Sequence, residues 1–327
     1  MLTLHPRCCL LLILIFSVLP LKLSAWGFFA HKRINRLAVF CLPPEMLVFY
    51  KANLEYITIH AVDPDKRRYA LAGEGARHFI DLDYYGMPPF NLLPRSWSQA
   101  VTRYSADTLQ RYGVLPWHLE TMLARLTRAF EARDPARILK LSADLGHYMA
   151  DAHVPLHVCS NHNGQLTGQH GIHALWETRT PELLADRTFS YWAGKATYIE
   201  YPRQYIWQIL IASAQAADTV LQYEKQLRNT FPSGQRYAFE NRNGVLLRNY
   251  AEAYTKAYHR SMGNMVERRM QGAIAAVAAF WYTAWTNAGQ PSLKTFTRIT
   301  TSPEDEAAFR QLNLQWQRGK ILGREHD

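Results

Sequence analysis

The sequence is poor in cysteine, in long apolar runs and in strand-like alternation. Four cysteines occur among 327 residues, and Cys41 and Cys159 are the two beyond the first ten positions. They could form one disulfide in an oxidising compartment, but the sequence does not establish the pairing. Beyond the N-terminal segment no stretch is apolar enough to cross a membrane. No internal repeat, low-complexity segment or clear linker divides the chain, so we predict one α-helical domain.

The first 25 residues differ in kind from the rest. Arg7 gives a short basic start, residues 8–18 form an apolar run, and Leu23-Ser24-Ala25 leads up to Trp26. This is the layout of a secretory signal peptide, although Leu23 is bulkier than the residue usually found three before the cleavage site. We therefore expect residues 1–25 to be removed and the protein to be secreted or periplasmic.

The composition favours anionic partners. The formal net charge is +10, and 13% of the residues are aromatic. A basic surface attracts phosphate esters, nucleic acid or acidic lipid surfaces. An ordinary soluble basic surface would give the same charge, so the composition alone leaves both interpretations open.

Helical periodicity dominates the chain after Trp26. A helix is expected around residues 31–41, a short extended piece over 76–83 and a loop over 159–171. We expect the main domain to span residues 26–300 and a polar tail or short helix to occupy 301–327. The further predicted helices are 96–112, 116–131, Pro135–Ala152, 205–229 and a long segment 245–287 with breaks near Gly263 or Gly272.

The most informative stretch is residues 145–157. His147 and Asp151 lie four apart in a predicted helix, so both side chains leave the same face. Pro155 ends this helix and pushes the residue before it towards extended geometry. His157 therefore comes from a bend, where it can serve a neighbouring metal ion.

A second imidazole–carboxylate pair follows, with His173 and Glu177 again four apart. Imidazole nitrogens and carboxylate oxygens are ligands of catalytic zinc sites, in which open positions remain for water. A single such pair is more often an exposed ion pair on a helix. Two pairs with His157 between them favour a metal site.

Further candidate ligands lie upstream. His31 stands near the start of the predicted N-terminal helix, where a lone histidine is more often a surface or partly buried residue. If the leader is removed, the α-amine and carbonyl of Trp26 form a chelating pair that His31 could complete. Asp63, Asp65 and His78 are also candidates, although each alone would be interpreted as a turn former or a surface group.

The chain resembles the zinc-dependent phospholipase C and S1/P1 nuclease superfamily in an ordered set of motifs. These are a tryptophan at the processed terminus, a nearby histidine, an aspartate, His-Phe-Ile-Asp, His-xxx-Asp-xxxxx-His and His-xxx-Glu. The resemblance extends from Trp26 to Glu177. It implies an all-α fold, a single multi-helix domain with a cleft that holds three zinc ions.

The resemblance also implies which residues hold each ion. The ligands of the first ion are Asp63, His78, His147 and Asp151. Those of the second are the amine and carbonyl of Trp26, His31 and the bridging Asp151. Those of the third are His157, His173 and Glu177. Asp63 is preferred to Asp65 because its separation from His78 along the chain fits the family pattern better.

Such a centre implies hydrolysis of a phosphodiester. Two ions about 3.5–4 Å apart can share a hydroxide and clamp both the attacking and the leaving oxygen. Bound zinc lowers the pKa of water to roughly 7, so that hydroxide is available at neutral pH. The resemblance assigns the bridging position to Asp151 and suggests that Asp63 accepts a proton from the attacking water. Both are therefore the predicted catalytic residues.

The substrate is predicted from fewer features. Glu177, where the nucleases usually carry Asp, and the short loop before it resemble the phospholipase C branch, whereas His153 resembles the nuclease motif. The arginine that nucleases place three residues after their first Asp is missing, since Lys66 stands there and Arg67 follows. We expect a phospholipase C-like enzyme with transient membrane-surface contact. The alternatives are a single-strand nuclease and a catalytically silent zinc-binding or lipid-surface protein.

Three residues are candidates for substrate binding, namely Phe79, Lys66 and Arg67. Phe79 follows the ligand His78 directly and could stack on a base or form the floor of a lipid headgroup site. The expected partners are accordingly a phospholipid or a single-stranded nucleic acid. No obligate protein partner is implied.

Overall fold

The computed structural model describes residues 27–242, 244–296, 298–322 and 324. The expected leader and the expected amine ligand Trp26 lie outside the described residues. The chain is 67% helical with one two-stranded sheet, which confirms the mainly α-helical class. Among the helices that the structure describes, none combines the length and apolar character needed to cross a bilayer.

The first half of the chain forms short helices followed by two long ones. In order these are α1 (Phe28–Ala38), α2 (Pro44–Ala52), α3 (Leu54–Ile59), α4 (Asp63–Arg67), α5 (Trp97–Tyr104), α6 (Ala106–Tyr112), α7 (Leu115–Glu131) and α8 (Pro135–Ala152). The bounds of α8 are those expected, with Asp134 as its N-cap. The single helix expected over 96–112 is wrong, because Ser105 has a φ of 68° and caps α6 through the Thr108 amide.

The second half contains the longest helix and the sheet. In order its elements are α9 (Ile172–Ala174), α10 (Thr180–Thr188), α11 (Pro202–Thr230), β1 (Tyr237–Arg242), β2 (Val245–Tyr250), α12 (Glu252–Ser261), α13 (Met265–Asn287) and α14 (Pro303–Arg318). A π-helical turn, Leu175–Arg179, joins α9 to α10. The loop expected over 159–171 is confirmed.

The helix expected over 245–287 is wrong at its start. Residues Val245–Tyr250 are β2, which pairs antiparallel with β1 and places Tyr250 opposite Tyr237. Residues 245–250 form a strand because β1 is available to pair with them, and this pairing overrides the local helical pattern. Further on, the helix does break at Gly263, where φ is 55°, but it runs unbroken through Gly272.

Helices α1, α7, α8 and α13 enclose the core beside the candidate site. Trp281 on α13 stacks on Tyr50 with ring centroids 5.1 Å apart. Its indole Nε1 donates a hydrogen bond to the Ser142 carbonyl on α8 at 3.0 Å. Trp207 of α11, Tyr254 of α12 and Trp281 of α13 are all buried, so these rings are core residues, as their stripes predict.

Gly146 allows α1 to approach α8 closely. A Cβ at this position would lie 2.0 Å from Oδ1 of Asn35 on α1. Asn35 is fully buried and donates through Nδ2 to the Ala143 carbonyl at 3.0 Å. The glycine costs some helix stability but brings the two ligand-bearing helices into contact.

The extended piece expected over 76–83 is also wrong. Two 3₁₀ turns, Gly75–His78 and Leu82–Tyr85, flank a short linking segment. The amide of Ile80 donates to the His157 carbonyl at 2.9 Å, and that of Asp81 donates to the Tyr112 carbonyl at 2.8 Å. The segment thus bonds to two different neighbours in turn rather than to one partner strand.

The two cysteines left open by the sequence are both free thiols. Cys159 is buried, and burial raises the pKa of its thiol. Cys41 is partly buried, and its Sγ lies 3.8 Å from the Leu37 carbonyl. Neither environment favours a reactive thiolate.

Candidate metal centre

Asp151 lies at the middle of the candidate site, one turn after His147 on α8. Its Oδ1 is 3.4 Å from Nε2 of His31 on α1. Its Oδ2 is 2.9 Å from Nδ1 of His78 and 3.3 Å from Nε2 of His147. The two oxygens therefore face different imidazoles, which is the arrangement required of a carboxylate that bridges two ions.

Two overlapping triads of potential ligands form around this carboxylate. His78, His147 and Asp151 make one, and His31, Asp65 and His147 make the other, with ligand atoms in each triad within 4.8 Å of one another. Oδ1 of Asp65 is 3.7 Å from Nε2 of His147. The rings of His31 and His147 stack at 3.8 Å, which the close approach of α1 and α8 makes possible.

A third triad consists of His157, His173 and Glu177. Glu177 Oε1 is 3.0 Å from Nε2 of His173, and its Oε2 is 3.2 Å from Nε2 of His157. His173 and Glu177 lie on α9 and the π-helical turn, and they share a face as their spacing predicts. His157 also lies near the first triad, because its Nδ1 is 3.9 Å from Asp151 Oδ1.

The outer nitrogens of three of these imidazoles are held by backbone carbonyls. Nδ1 of His147 donates to Ala61 at 2.9 Å, and Nδ1 of His157 donates to the carbonyl of His78 at 2.6 Å. Nδ1 of His173 donates to His162 at 2.9 Å. Such hydrogen bonds fix the tautomer and direct the Nε2 lone pair inward, as metal-ligating histidines require.

Burial sets the protonation of the cluster. The residues of the three triads are each at most 5% exposed. Burial lowers the pKa of His147 to about 3 and the pKa values of His31 and His78 well below their usual range. These three imidazoles are therefore neutral, which is the form that binds metal.

The buried carboxylates behave differently from one another. Burial raises the pKa of Asp151 well above its usual range. Burial also acts to raise the pKa of Glu177, but the charge of His173 and hydrogen bonds from His157 and His173 outweigh it, and this pKa is lowered. Buried carboxylates and imidazoles together form a donor set that fits a divalent cation.

Asp65, rather than the expected ligand Asp63, belongs to one of the potential ligand triads. Asp63 Oδ2 lies 2.6 Å from Nδ1 of His60, and its Oδ1 lies 3.5 Å from Nζ of Lys66. Asp65 instead faces His78 and His147, because the two acids project from different sides of the short helix α4. Asp63 lies outside the three potential ligand triads, and its expected catalytic role stays a prediction.

The remaining expected ligands come together, apart from Trp26, which lies outside the described residues. They come from α1, the turn at His78, α8, the bend after Pro155 and the α9 region. The seven that converge are His31, His78, His147, Asp151, His157, His173 and Glu177.

The expected substrate-binding residues are all engaged within the protein. Lys66 Nζ lies 4.6 Å from the ring centroid of Phe309, and the guanidinium of Arg324 covers the ring of Phe79 at 4.1 Å. Arg67 donates to Asp144 at 3.1 Å and also binds Glu74 and Tyr148. Arg67 is therefore held by three partners within the protein, and its expected role in substrate binding stays a prediction.

The network around Glu74 was not predicted from the sequence. Glu74 is fully buried and accepts hydrogen bonds from the Tyr148 hydroxyl and from Arg67. The edge of the Tyr148 ring packs against His78 and His147, so the network supports both imidazoles. A signal was present, because Asp144 and Tyr148 extend the polar stripe of His147 along one face of α8.

No family model matches this sequence, and no curated protein matches it.

Proposed function

We propose that this protein is a zinc-dependent phosphodiester hydrolase, phospholipase C-like in its substrate. The observation that carries the proposal is the position of Asp151, with one oxygen toward His31 and the other toward His78 and His147. This split arrangement supports two ions held side by side. The triad ending in Glu177 supports a third.

The donor sets suit zinc. Imidazole and carboxylate ligands at three or four per ion are typical of catalytic zinc. In our assignment, Asp65, His78, His147 and Asp151 would hold the first ion. His31 and Asp151 would hold the second with the processed N-terminus, and His157, His173 and Glu177 would hold the third. Bound zinc would polarise phosphoryl oxygens and lower the pKa of water.

The chain itself contributes charge balance and positioning. Asp65, Asp151 and Glu177 supply three negative charges to a centre that would carry three dications, so a positive surplus remains to attract a phosphate. Burial of these carboxylates excludes water and strengthens their interactions. The backbone carbonyls behind the imidazoles hold the ligands in place before substrate binds.

The substrate class rests on the third triad. Glu177 and the short loop between His157 and His173 resemble the phospholipase C branch. The second candidate function is that of a single-strand nuclease, and the position of Asp65 in place of Asp63 favours it. With Asp65 as the first acid, Arg68 stands three residues after it, where nucleases carry arginine.

We further propose that the chain is exported and cleaved before Trp26. N-terminal sequencing of protein recovered outside the cytoplasm tests this directly, with Trp26 as the expected first residue. A first residue other than Trp26 would remove the amine ligand from the assignment.

The function is tested by measuring zinc per chain and hydrolysis of phosphatidylcholine and of single-stranded DNA. We expect about three zinc ions per chain. Lipid hydrolysis should be abolished by chelator and restored by added zinc. DNA cleavage without lipid hydrolysis would replace the first proposal by the second. If the zinc-loaded protein hydrolyses neither substrate, the protein binds zinc without acting as a phosphodiesterase on these substrates.

A matched pair of variants adds a structural control. Asp151→Asn should lower turnover by more than about a hundredfold, because even removal of a supporting group behind a ligand costs 10–100-fold. Asp186→Asn removes a partly exposed carboxylate that pairs with Arg33 and should leave zinc content and turnover unchanged. Equal behaviour of the two variants would contradict the bridging role of Asp151.

A further inference from the structure

The C-terminal segment, α14 with residues 319–322 and Arg324, forms what we call the strap. No residue of α14 is buried, in contrast to the long helices of the core. The strap nevertheless makes specific contacts with the rest of the protein at both of its ends. These contacts decide where it lies.

The helical part of the strap covers the start of α1 and α4. The ring of Trp316 lies 5.1 Å from that of Phe28, and the ring of Phe309 lies 4.8 Å from that of His60. Lys66 points its Nζ toward both strap rings, at 4.6 Å from Phe309 and 6.0 Å from Trp316. The cation is thereby enclosed by aromatic side chains.

The extended part of the strap is held by main-chain hydrogen bonds and one ion pair. The amide of Leu322 donates to the Arg68 carbonyl at 2.8 Å, and Nη2 of Arg68 donates to the Arg324 carbonyl at 2.6 Å. Nη1 of Arg324 is 2.6 Å from Oδ1 of Asp81, and its Nη2 donates to the Cys159 carbonyl at 3.2 Å.

Most residues that the strap touches stand within three positions of a candidate metal ligand, although His60 is five positions before Asp65. Phe28 precedes His31, Lys66 follows Asp65, Phe79 follows His78, and Cys159 follows His157. These four ligands belong to four separate segments of the chain. The strap therefore contacts residues adjacent in sequence to four ligands that come from four segments of the chain.

We propose that the strap is an intramolecular cover of the metal centre, and that a phosphodiester reaches the ligands only after the strap lifts. The proposal rests on the proposed function for the identity of the incoming substrate. Burial of every ligand supports it, since none of the eight is more than 5% exposed. The absence of buried residues in α14 makes this helix the kind of element that opens locally while the core stays folded.

The test is the rate at which a chelator removes zinc from the loaded protein, because that rate does not depend on turnover. Arg324→Ala deletes the ion pair with Asp81 and the contact with Phe79. We expect zinc release to accelerate about tenfold, equivalent to about 1.4 kcal/mol. Hydrolysis of bis(4-nitrophenyl) phosphate, a small phosphodiester, should accelerate with it. Trp316→Ala should act in the same direction.

Arg318→Ala is the matched control, because Arg318 is an exposed arginine in the last turn of the same helix. Amide hydrogen exchange separates lifting of the strap from general unfolding. In Arg324→Ala the Leu322 amide should exchange faster while amides of α8 keep their protection.

Four outcomes are decisive. Release rates equal to those of the Arg318 control would overturn the proposal, as would loss of protection in α8 together with Leu322. Faster zinc release without hydrolysis of any phosphodiester by any variant would support the cover and remove the proposed function. Faster release with faster hydrolysis supports both.

Discussion

Replacing Gly146 by alanine is expected to push α1 away from α8 and weaken the metal centre. The added Cβ would lie 2.0 Å from Oδ1 and 2.8 Å from Cγ of Asn35. Asn35 cannot swing aside, because it is fully buried and bonded to the Ala143 carbonyl. The helices themselves must therefore separate.

The magnitude follows from three terms. Overpacking of a buried site costs about 1–3 kcal/mol. Loss of the Asn35 hydrogen bond costs about 1 kcal/mol. The higher helix propensity of alanine returns about 1 kcal/mol, so the net loss of unfolding free energy is about 1–3 kcal/mol.

The effect on metal binding should be selective. His31 lies one turn before Asn35 on α1, and its ring stacks on His147 at 3.8 Å. Displacing α1 therefore removes His31 from the site but leaves the triad ending in Glu177 intact. We expect zinc content to fall by one ion per chain while the other two remain.

The assay combines urea unfolding with metal analysis of the purified protein. Asn35→Ala together with Gly146→Ala clears the blocked space and should recover most of the lost zinc. Gly272→Ala is a control, since its Cβ would meet the His153 ring at 3.3 Å rather than a buried amide at 2.0 Å. Full zinc content and unchanged stability in Gly146→Ala would refute this account of how the two helices meet.

Three other predictions concern the ligands and the pH dependence. Asp65→Asn should lower zinc content and turnover, whereas Asp63→Asn should keep the zinc count. If metal analysis shows that Asp63→Asn loses zinc and Asp65→Asn keeps it, Asp63 is the ligand. An extension retained before Trp26 should reduce zinc content by one ion, and an extended protein with full zinc would exclude the amine as a ligand. Burial lowers the pKa of His153 to about 3, so the folded protein keeps this side chain neutral. Below about pH 6.5 the unfolded chain binds a proton at His153 that the folded protein does not bind, and the free energy of unfolding falls by up to about 2 kcal/mol at pH 5. Unfolding of the metal-free protein at pH 7.5 and pH 5 should therefore show a smaller acid loss in His153→Gln than in the wild type, and equal losses would contradict this.

The sequence was most informative where the chemistry lies within one helix. His147 and Asp151 share a face because of their spacing alone, and Asp134 and Pro135 mark the start of their helix. The pair at His173 and Glu177 was predictable for the same reason, even though a π-helical turn carries Glu177. Spacing within a turn is a local property, and local rules determine it.

The errors arose where the answer depends on distant parts of the chain. Asp63 and Asp65 are two positions apart, and only their surroundings decide that the first faces His60 and the second faces His147. The hairpin over 237–250 forms because a partner strand is available, which periodicity does not report. The position of Arg324 over Phe79 joins residues 245 positions apart in a contact that no local pattern encodes.

The carbonyl anchors of His147, His157 and His173 also bear on how such a centre could change over time. A side-chain anchor can be deleted by one codon change, but a main-chain oxygen is present whatever residue occupies the position. Ring orientation at these three ligands is thus insensitive to most single substitutions in the anchoring residues. Shifts in metal preference, in natural drift or in the laboratory, would have to come from the ligands themselves or from insertions that move the loops.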